Sequence, residues 1–131
     1  MEAFDRQEFE TQLSRINELA LWDFEVDHLE NGTLLILGSN DFTYYHHLEI
    51  EFCSVTFHDL PSRFSHAQFR LGKDSDDQAT VWVRAESWDA AGENDYEVRA
   101  SGIAVRIGTV YYYDRDNLKP GERIAGEKIR K

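Results

Sequence analysis

The sequence has one cysteine, Cys53, and no apolar run that approaches the ~20 residues needed to cross a bilayer. A single cysteine cannot form an internal disulfide, so a disulfide-stabilised scaffold is excluded and a reducing compartment is favoured. The first residues are acidic, whereas a secretory signal peptide carries basic residues followed by a long apolar stretch. We therefore expect a cytoplasmic protein that is not inserted in a membrane.

Basic residues are scarce, with 14 Lys and Arg against 25 Asp and Glu and a formal net charge of −11. Nucleic acids and anionic lipid surfaces attract proteins mainly through Lys and Arg, so neither is an expected partner. A surface of this charge attracts cationic partners and speeds their capture at low salt. Acidity can also serve solubility alone. The composition predicts a basic protein partner if there is a partner at all.

Motifs of catalysis are also missing from the sequence. No serine lies in a G-x-S-x-G context, and the glycines lack a phosphate-binding spacing. Cys53 has no basic residue beside it that would activate the thiol. We expect no cofactor, and enzymatic activity is less favoured by the sequence than either partner binding or ligand binding.

The apolar fraction of 41% suffices for a core in a single domain spanning residues 1–131, and the 13% aromatic share favours sheets. An amphipathic helix is predicted over residues 4–20. Phe9, Leu13, Ile16 and Ala20 recur at helical spacing on one face. Asp5, with Glu8 three residues later, is typical of a helix start.

From Trp22 onward the apolar residues alternate with polar ones, which is typical of strands. Asn31-Gly32 predicts a tight hairpin turn. We interpret residues 22–113 as an antiparallel β-sandwich or rolled barrel of six to eight strands, giving a mainly-β α+β fold with one helix. Residues 114–131 form a basic tail that is either a loose arm or a segment folded back on the acidic body.

The third predicted strand, Tyr45 to Phe57, changes parity along its length. Leu48, Ile50 and Phe52 share one face, whereas Val55 and Phe57 lie on the other. A β-bulge or bend between Phe52 and Val55 would bring both sets to the core.

Two histidines are candidate metal ligands. His58 would lie opposite His66 if residues 59–65 closed a hairpin, and opposed Cβ atoms lie about 4.5–5.5 Å apart. A catalytic zinc site needs a third ligand, for which Asp59 or Glu51 is available but not in a known spacing. We therefore predict that this pair binds no metal.

A second group of polar residues alternates along the fifth and sixth predicted strands. In a hairpin closed by residues 89–94 these side chains share a face with two tryptophans: Trp82, Arg84, Glu86, Trp88, Glu97 and Arg99. On an exposed face this is ordinary cross-strand charge pairing, and the tryptophans would favour a partner-binding surface. Inside a barrel mouth the same side chains could hold a small polar ligand.

Tyrosines cluster at positions 44–45 and 111–113. Aromatic platforms of this kind bind single-stranded nucleic acid, but only beside a basic groove. In this acidic chain we expect the tyrosines to pack at strand ends into the core.

The strand Leu48-Glu49-Ile50-Glu51-Phe52-Cys53-Ser54-Val55, within residues 22–71, resembles small bacterial β-proteins, some of which are immunity proteins of toxin systems. The resemblance implies a non-enzymatic protein that neutralises a toxin by binding it, with no shared catalytic residues. The leading hypothesis is therefore an acidic binding protein for a basic partner. The alternative is a ligand-binding barrel using Trp82, Arg84, Trp88 and Arg99.

Overall fold

The computed structural model describes residues 5–73, 78–87, 92–113 and 118–124. This part of the chain contains one helix and nine strands. They are α1 (Arg6–Leu19), β1 (Asp23–Glu30), β2 (Thr33–Ser39), β3 (Tyr45–Cys53), β4 (Phe57–His58), β5 (Arg63–Leu71), β6 (Ala79–Ser87), β7 (Glu93–Ala100), β8 (Gly102–Tyr111) and β9 (Arg123–Ile124). Helix α1 is too short and too polar to cross a membrane, and no other helix is found among these residues.

Helix α1 begins and ends where the sequence provides caps. The backbone N–H of Glu8 donates to the side chain of Asp5 at 3.1 Å, which satisfies one free donor of the first turn. Phe9, Leu13 and Ile16 are buried against the sheet, as predicted. Ala20 is exposed instead of buried, because it adopts the left-handed conformation (φ 50°) that ends the helix.

All nine strands belong to one sheet in the order β4-β7-β6-β5-β1-β2-β3-β8-β9. Every pairing is antiparallel except β8 with β9. The predicted hairpin is confirmed, since Asn31 and Gly32 take positive φ values between β1 and β2. The mainly-β α+β class is also confirmed. The strand number exceeds the predicted six to eight, and the sheet is not closed into a barrel because β4 and β9 remain edges.

The sheet is strongly curved, and the chain bends at Ser54 between β3 and β4. Only residues 54–56 separate β3 from β4, yet these strands stand seventh and first in the strand order, so the sheet must curve until its two halves meet. Ser54 has a φ of 54°, and the backbone N–H of Val55 donates to Gly32 O at 2.8 Å. Beyond the bend, Thr56 N donates to Arg99 O at 3.1 Å and the chain joins β7.

The predicted break between Phe52 and Val55 is therefore confirmed, and Val55 packs against the core. Phe57 does not, since 40% of it is exposed. It lies on an edge strand, where the Arg99 guanidinium carbon sits 4.9 Å from the centre of its ring.

The core fills the concave side of the curled sheet beneath α1. We call this side the inner face and the opposite side the outer face. The inner face contributes fully buried side chains from six strands, among them Phe24, Leu34, Ile36, Leu48, Ile50, Phe52, Phe64, Val81, Val83 and Val98.

Asn17 joins the helix to β5. The register of β1 with β5 ends at Ser65, so the backbone of Phe69 has no β1 residue beside it. The Asn17 side chain takes the place of a strand there, since its Nδ2 donates to Phe69 O at 2.7 Å and its Oδ1 accepts from Phe69 N at 2.9 Å. The side-chain amide of Asn17 thus satisfies the backbone N–H and C=O of Phe69, as the backbone of a neighbouring strand would.

The described part of the basic tail folds back on the body. Residues 118–124 end in β9, which pairs with the end of β8. Gly108 permits this approach, because a Cβ at that position would lie 2.6 Å from Gly121 O. The remaining tail residues, 114–117 and 125–131, lie outside the described residues.

Candidate functional site

Five of the six residues predicted as a ligand or partner face lie on the outer face of β6 and β7. Trp82 pairs with Glu97 and Arg84 with Asp95, so their side chains alternate with the fully buried Val81 and Val83. The strand pairing thus brings together Trp82, Arg84, Glu86, Glu97 and Arg99 as predicted, and Trp88 lies outside the described residues.

The two arginines of this group form ion pairs on the surface. Arg84 lies 3.2 Å from Glu93 and 3.4 Å from Asp95, and Arg99 pairs with Glu97. The guanidinium carbon of Arg70 sits 5.9 Å from the ring centre of Trp82. Arg84 and Arg99 are about half exposed. The group therefore points away from the core, which contradicts the barrel-mouth arrangement of the small-ligand alternative.

His58 and His66 do not share a hairpin. His58 lies in β4, opposite Val98 of β7, and its Nδ1 accepts from Leu60 N at 3.1 Å. His66 lies in a bulge of β5 with a φ of 54°, near Trp22 and 3.5 Å from Glu86. Within the described ranges, no group of three or more His, Cys, Asp or Glu side chains is arranged to hold a metal.

A buried polar cluster surrounds Glu49, and the sequence did not predict it. Nε2 of His46 lies 2.7 Å from Glu49 Oε2, and Nδ1 of His46 lies 2.6 Å from the hydroxyl of Tyr112. Arg106 donates to Glu49 at 2.8 Å, and Arg123 of the tail donates at 2.6 Å. The side chain of Glu49 is only 12% exposed.

This environment lowers the pKa of Glu49 from 4.5 to about 2, chiefly through the hydrogen bond from His46 and then through Arg106 and Arg123, against the opposing effect of burial. The order hydroxyl, imidazole, carboxylate resembles a catalytic triad. However, the carboxylate is shared by two arginines, and Tyr112 is only 6% exposed. We therefore assign the cluster to anchoring the tail against the sheet.

Glu49 belongs to a row that crosses five strands of the outer face. Successive registers place Arg63, Glu25, Leu37, Glu49 and Arg106 side by side. The two carboxylates are buried, each beside an arginine at the end of the row. Alternation in the sequence marks Glu25 and Glu49 as outward-facing, but only the strand order reveals that they share a row.

Tyrosines form an aromatic cluster at the start of β3 and the end of β8. The rings of Tyr44 and Tyr113 meet edge to face at 6.2 Å, and Tyr111 lies 5.6 Å from Tyr113. A depression of about 480 Å³ is lined by Thr43, Tyr44, Tyr112 and Tyr113, and we call it the tyrosine pocket. Tyr112 is buried as predicted, but Tyr44 is 56% and Tyr113 40% exposed, so core packing was the wrong prediction for these two.

Comparisons with protein-family models, curated proteins and solved structures find no match to this chain. The charge, burial and geometry of the described residues are therefore the basis for a functional assignment.

Proposed function

We propose that the protein is an acidic binding protein that engages a basic protein partner. The observation that carries this proposal is the pairing of surface arginines with carboxylates. Each of the following lies within 4.0 Å of a carboxylate: Arg6, Arg63, Arg70, Arg84, Arg99, Arg106 and Arg123. Their charge is neutralised at the surface, so the excess carboxylates of a chain with net charge −11 determine the external field.

Exposed aromatic side chains supply contact area for such a partner. Trp22 is 63% exposed, the most among the large apolar side chains of the described residues, and Tyr44 follows. Tyr and Trp are the residue types most often found as anchors in protein interfaces. Electrostatic attraction would speed association of the partner, and contacts with these rings would stabilise the complex.

The specific form of this proposal is an immunity-type protein that neutralises a toxin. It is supported by the resemblance of residues 48–55 and by the charge. A toxin that acts on nucleic acid needs a basic surface, and an acidic protein can occupy that surface in place of phosphates.

The first experiment identifies the partner and then measures how it associates. The protein is immobilised at an ionic strength of about 0.01 M, a protein is captured from the host and purified, and association rates are measured by stopped flow up to 0.15 M. We expect the rate constant to fall steeply, because charge screening acts over about 30 Å at the lower salt and about 8 Å at the higher. A flat profile contradicts the proposal.

A matched variant sharpens this test. Glu18 and Glu30 are exposed, and neither pairs with an arginine of the described residues. The double variant Glu18→Gln, Glu30→Gln should associate more slowly at low salt and lose part of the salt slope. For the toxin form, host cells expressing the captured protein alone should stop growing, and co-expression of this chain should restore growth.

A further inference from the structure

We propose that a pocket beside the C-terminal end of α1 binds a small neutral aromatic molecule that carries a hydroxyl group. The pocket has a volume of about 470 Å³ and lies where this end of the helix meets the start of β3 and the end of β8. We call it the inner pocket, and its described lining residues are Leu19, Leu21, Asn40, Tyr45, His47, Thr109 and Tyr111. The inner pocket is separate from the outer-face group on β6 and β7, and the inference goes beyond the acidic-capture function.

The composition of the lining selects a neutral ligand. Asp, Glu, Lys and Arg make up 30% of the chain, yet none of the described lining residues belongs to these four types. Leu21 is part of the core and Leu19 packs against it, so part of the lining is apolar. An ion in such a place would lose hydration without gaining an opposite charge.

An aromatic wall favours a planar ligand. The ring centres of Tyr45 and Tyr111 lie 6.4 Å apart, with their planes inclined by 59°. Tyr111 is held by further contacts, among them its hydroxyl bond to Glu122 at 3.1 Å. We therefore place the ligand against Tyr45 and treat Tyr111 as a fixed wall. Aromatic rings pack well against one another in offset or edge-to-face arrangements.

Two polar groups of the lining suit a ligand hydroxyl. The Tyr45 hydroxyl and Nε2 of His47 have no hydrogen-bond partner in the described part of the chain. Both atoms reach solvent, since no fully buried polar side-chain atom of the described residues lacks a partner. Nδ1 of His47 lies 3.0 Å from the Thr109 hydroxyl, which orients the imidazole. A ligand hydroxyl both donates and accepts, so it matches the Tyr45 hydroxyl and either tautomer of His47.

An irregularity in the strand register places His47 in the pocket. In a regular strand, successive side chains such as those of His47 and Leu48 point to opposite faces. The pairing of β3 with β8 shifts between His46 and Leu48, and here both side chains lie on the inner side. Leu48 is in the core, and His47 lines the pocket together with Leu21. Such irregularities redirect side chains and are frequent beside functional sites.

Hydrogen bonds hold the rim of the pocket in shape. Oδ1 of Asn40 accepts from Trp22 N at 2.8 Å, which joins the loop before β3 to the chain that follows α1. The Ser39 hydroxyl donates to Tyr45 O at 2.7 Å, and the backbone N–H of Tyr45 donates to Asp41 O at 3.2 Å. A pocket that is already shaped loses less entropy when a ligand binds.

The direct test compares three probes that share one methyl-substituted ring: 4-methylphenol, toluene and 4-methylbenzoate. Ring resonances of Tyr45 and His47 are followed by NMR while each probe is added to the wild-type protein at neutral pH. We expect 4-methylphenol to shift both rings, toluene to bind about tenfold more weakly for lack of a hydrogen bond, and 4-methylbenzoate not to bind. Equal binding of 4-methylphenol and either comparison probe, or no shift with 4-methylphenol, overturns the proposal.

Variants connect the effect to the pocket. Tyr45→Phe keeps the ring and removes the hydroxyl, so it should weaken 4-methylphenol binding about fivefold and leave toluene binding unchanged. His47→Ala should weaken 4-methylphenol binding about tenfold. His28→Ala removes an exposed histidine of β1 that does not line the pocket and should change neither. Thermal unfolding checks that the variants are folded. Unchanged 4-methylphenol binding in both Tyr45→Phe and His47→Ala contradicts the assignment.

Ionic strength separates this inference from the proposed function. Binding of neutral 4-methylphenol should be the same at about 0.01 and about 0.15 M, because there is no ionic attraction to screen. A binding constant that falls steeply with salt refutes the neutral-ligand site. Selective 4-methylphenol binding together with a flat salt profile for partner association supports the inner pocket and refutes the acidic-capture function.

Discussion

Glu49 carries a buried charge on the outer face of the sheet. Its carboxylate accepts hydrogen bonds from Arg106 and Arg123 and contacts His46, while 12% of the side chain is exposed. We expect Glu49→Gln to lower the free energy of unfolding by about 2 kcal/mol, below the usual cost of breaking a fully buried pair because both arginines are half exposed. Urea unfolding measures the change.

Glu51→Gln is the matched control for this substitution. Glu51 lies on the same strand and contacts Arg106 at 3.6 Å, but its side chain is 34% exposed. A pair of this kind contributes at most about 1 kcal/mol. Equal losses in the two variants would show that burial of Glu49 has no special role.

The same carboxylate predicts a dependence of stability on pH. Its folded pKa is lowered to about 2 from 4.5. A group with a lowered folded pKa stabilises the native state above its unfolded pKa, and this contribution is lost as the pH falls toward the folded value. The stability difference between wild type and Glu49→Gln should therefore be constant above about pH 5 and shrink as the pH falls from about 4.5 to about 2. A difference that stays constant across this whole range would contradict the pairing.

Among the elements, α1 is joined to β5 by one amide in addition to its buried apolar side chains. Asn17 donates to and accepts from the backbone of Phe69, where β5 has no β1 partner. Asn17→Ala would leave a backbone donor and acceptor of β5 unpaired in a partly buried place. We expect a loss of about 1–3 kcal/mol in thermal or urea unfolding. Ser14→Ala, on the exposed side of the same helix, should change stability by less than about 0.5 kcal/mol.

Elements whose signals are local were predictable from the sequence. The helix follows from the spacing of Phe9, Leu13 and Ile16, and the first hairpin follows from Asn31-Gly32. The parity change after Phe52 located the bend at Ser54. The pairing of β4 with β7 was not predictable, because so short a strand carries no information about a partner distant in the sequence. The assumed hairpin of His58 with His66 was wrong for that reason.

The last element, β9, depends on a close backbone approach. Gly108→Ala would place a Cβ 2.6 Å from Gly121 O, so β9 must move away from β8 and Arg123 from Glu49. We expect faster amide hydrogen exchange at Arg123 and Ile124 and a stability loss of about 1 kcal/mol or more. Gly102→Ala is the control, since its Cβ would meet Cys53 at an ordinary 3.4 Å. Unchanged exchange in Gly108→Ala would refute the close contact.

At the scale of the whole molecule, the net charge of −11 has two opposite consequences. It favours capture of a basic partner, and it destabilises the compact state through self-repulsion. The paired arginines neutralise single carboxylates but leave this excess in place. The net charge follows from composition alone. Which carboxylate each arginine pairs with could be learned only from the structure.

Salt should therefore act in opposite directions on folding and on binding. Raising the ionic strength from about 0.01 to about 0.15 M shortens the screening length from about 30 to about 8 Å, which weakens repulsion among the excess carboxylates. We expect the midpoint of thermal unfolding to rise while the association rate with the basic partner falls. In the double variant Glu18→Gln, Glu30→Gln, which is two charges less negative, both effects should be smaller. A midpoint that falls with added salt would show that the arginine–carboxylate pairs outweigh the self-repulsion, since screening weakens those pairs as well.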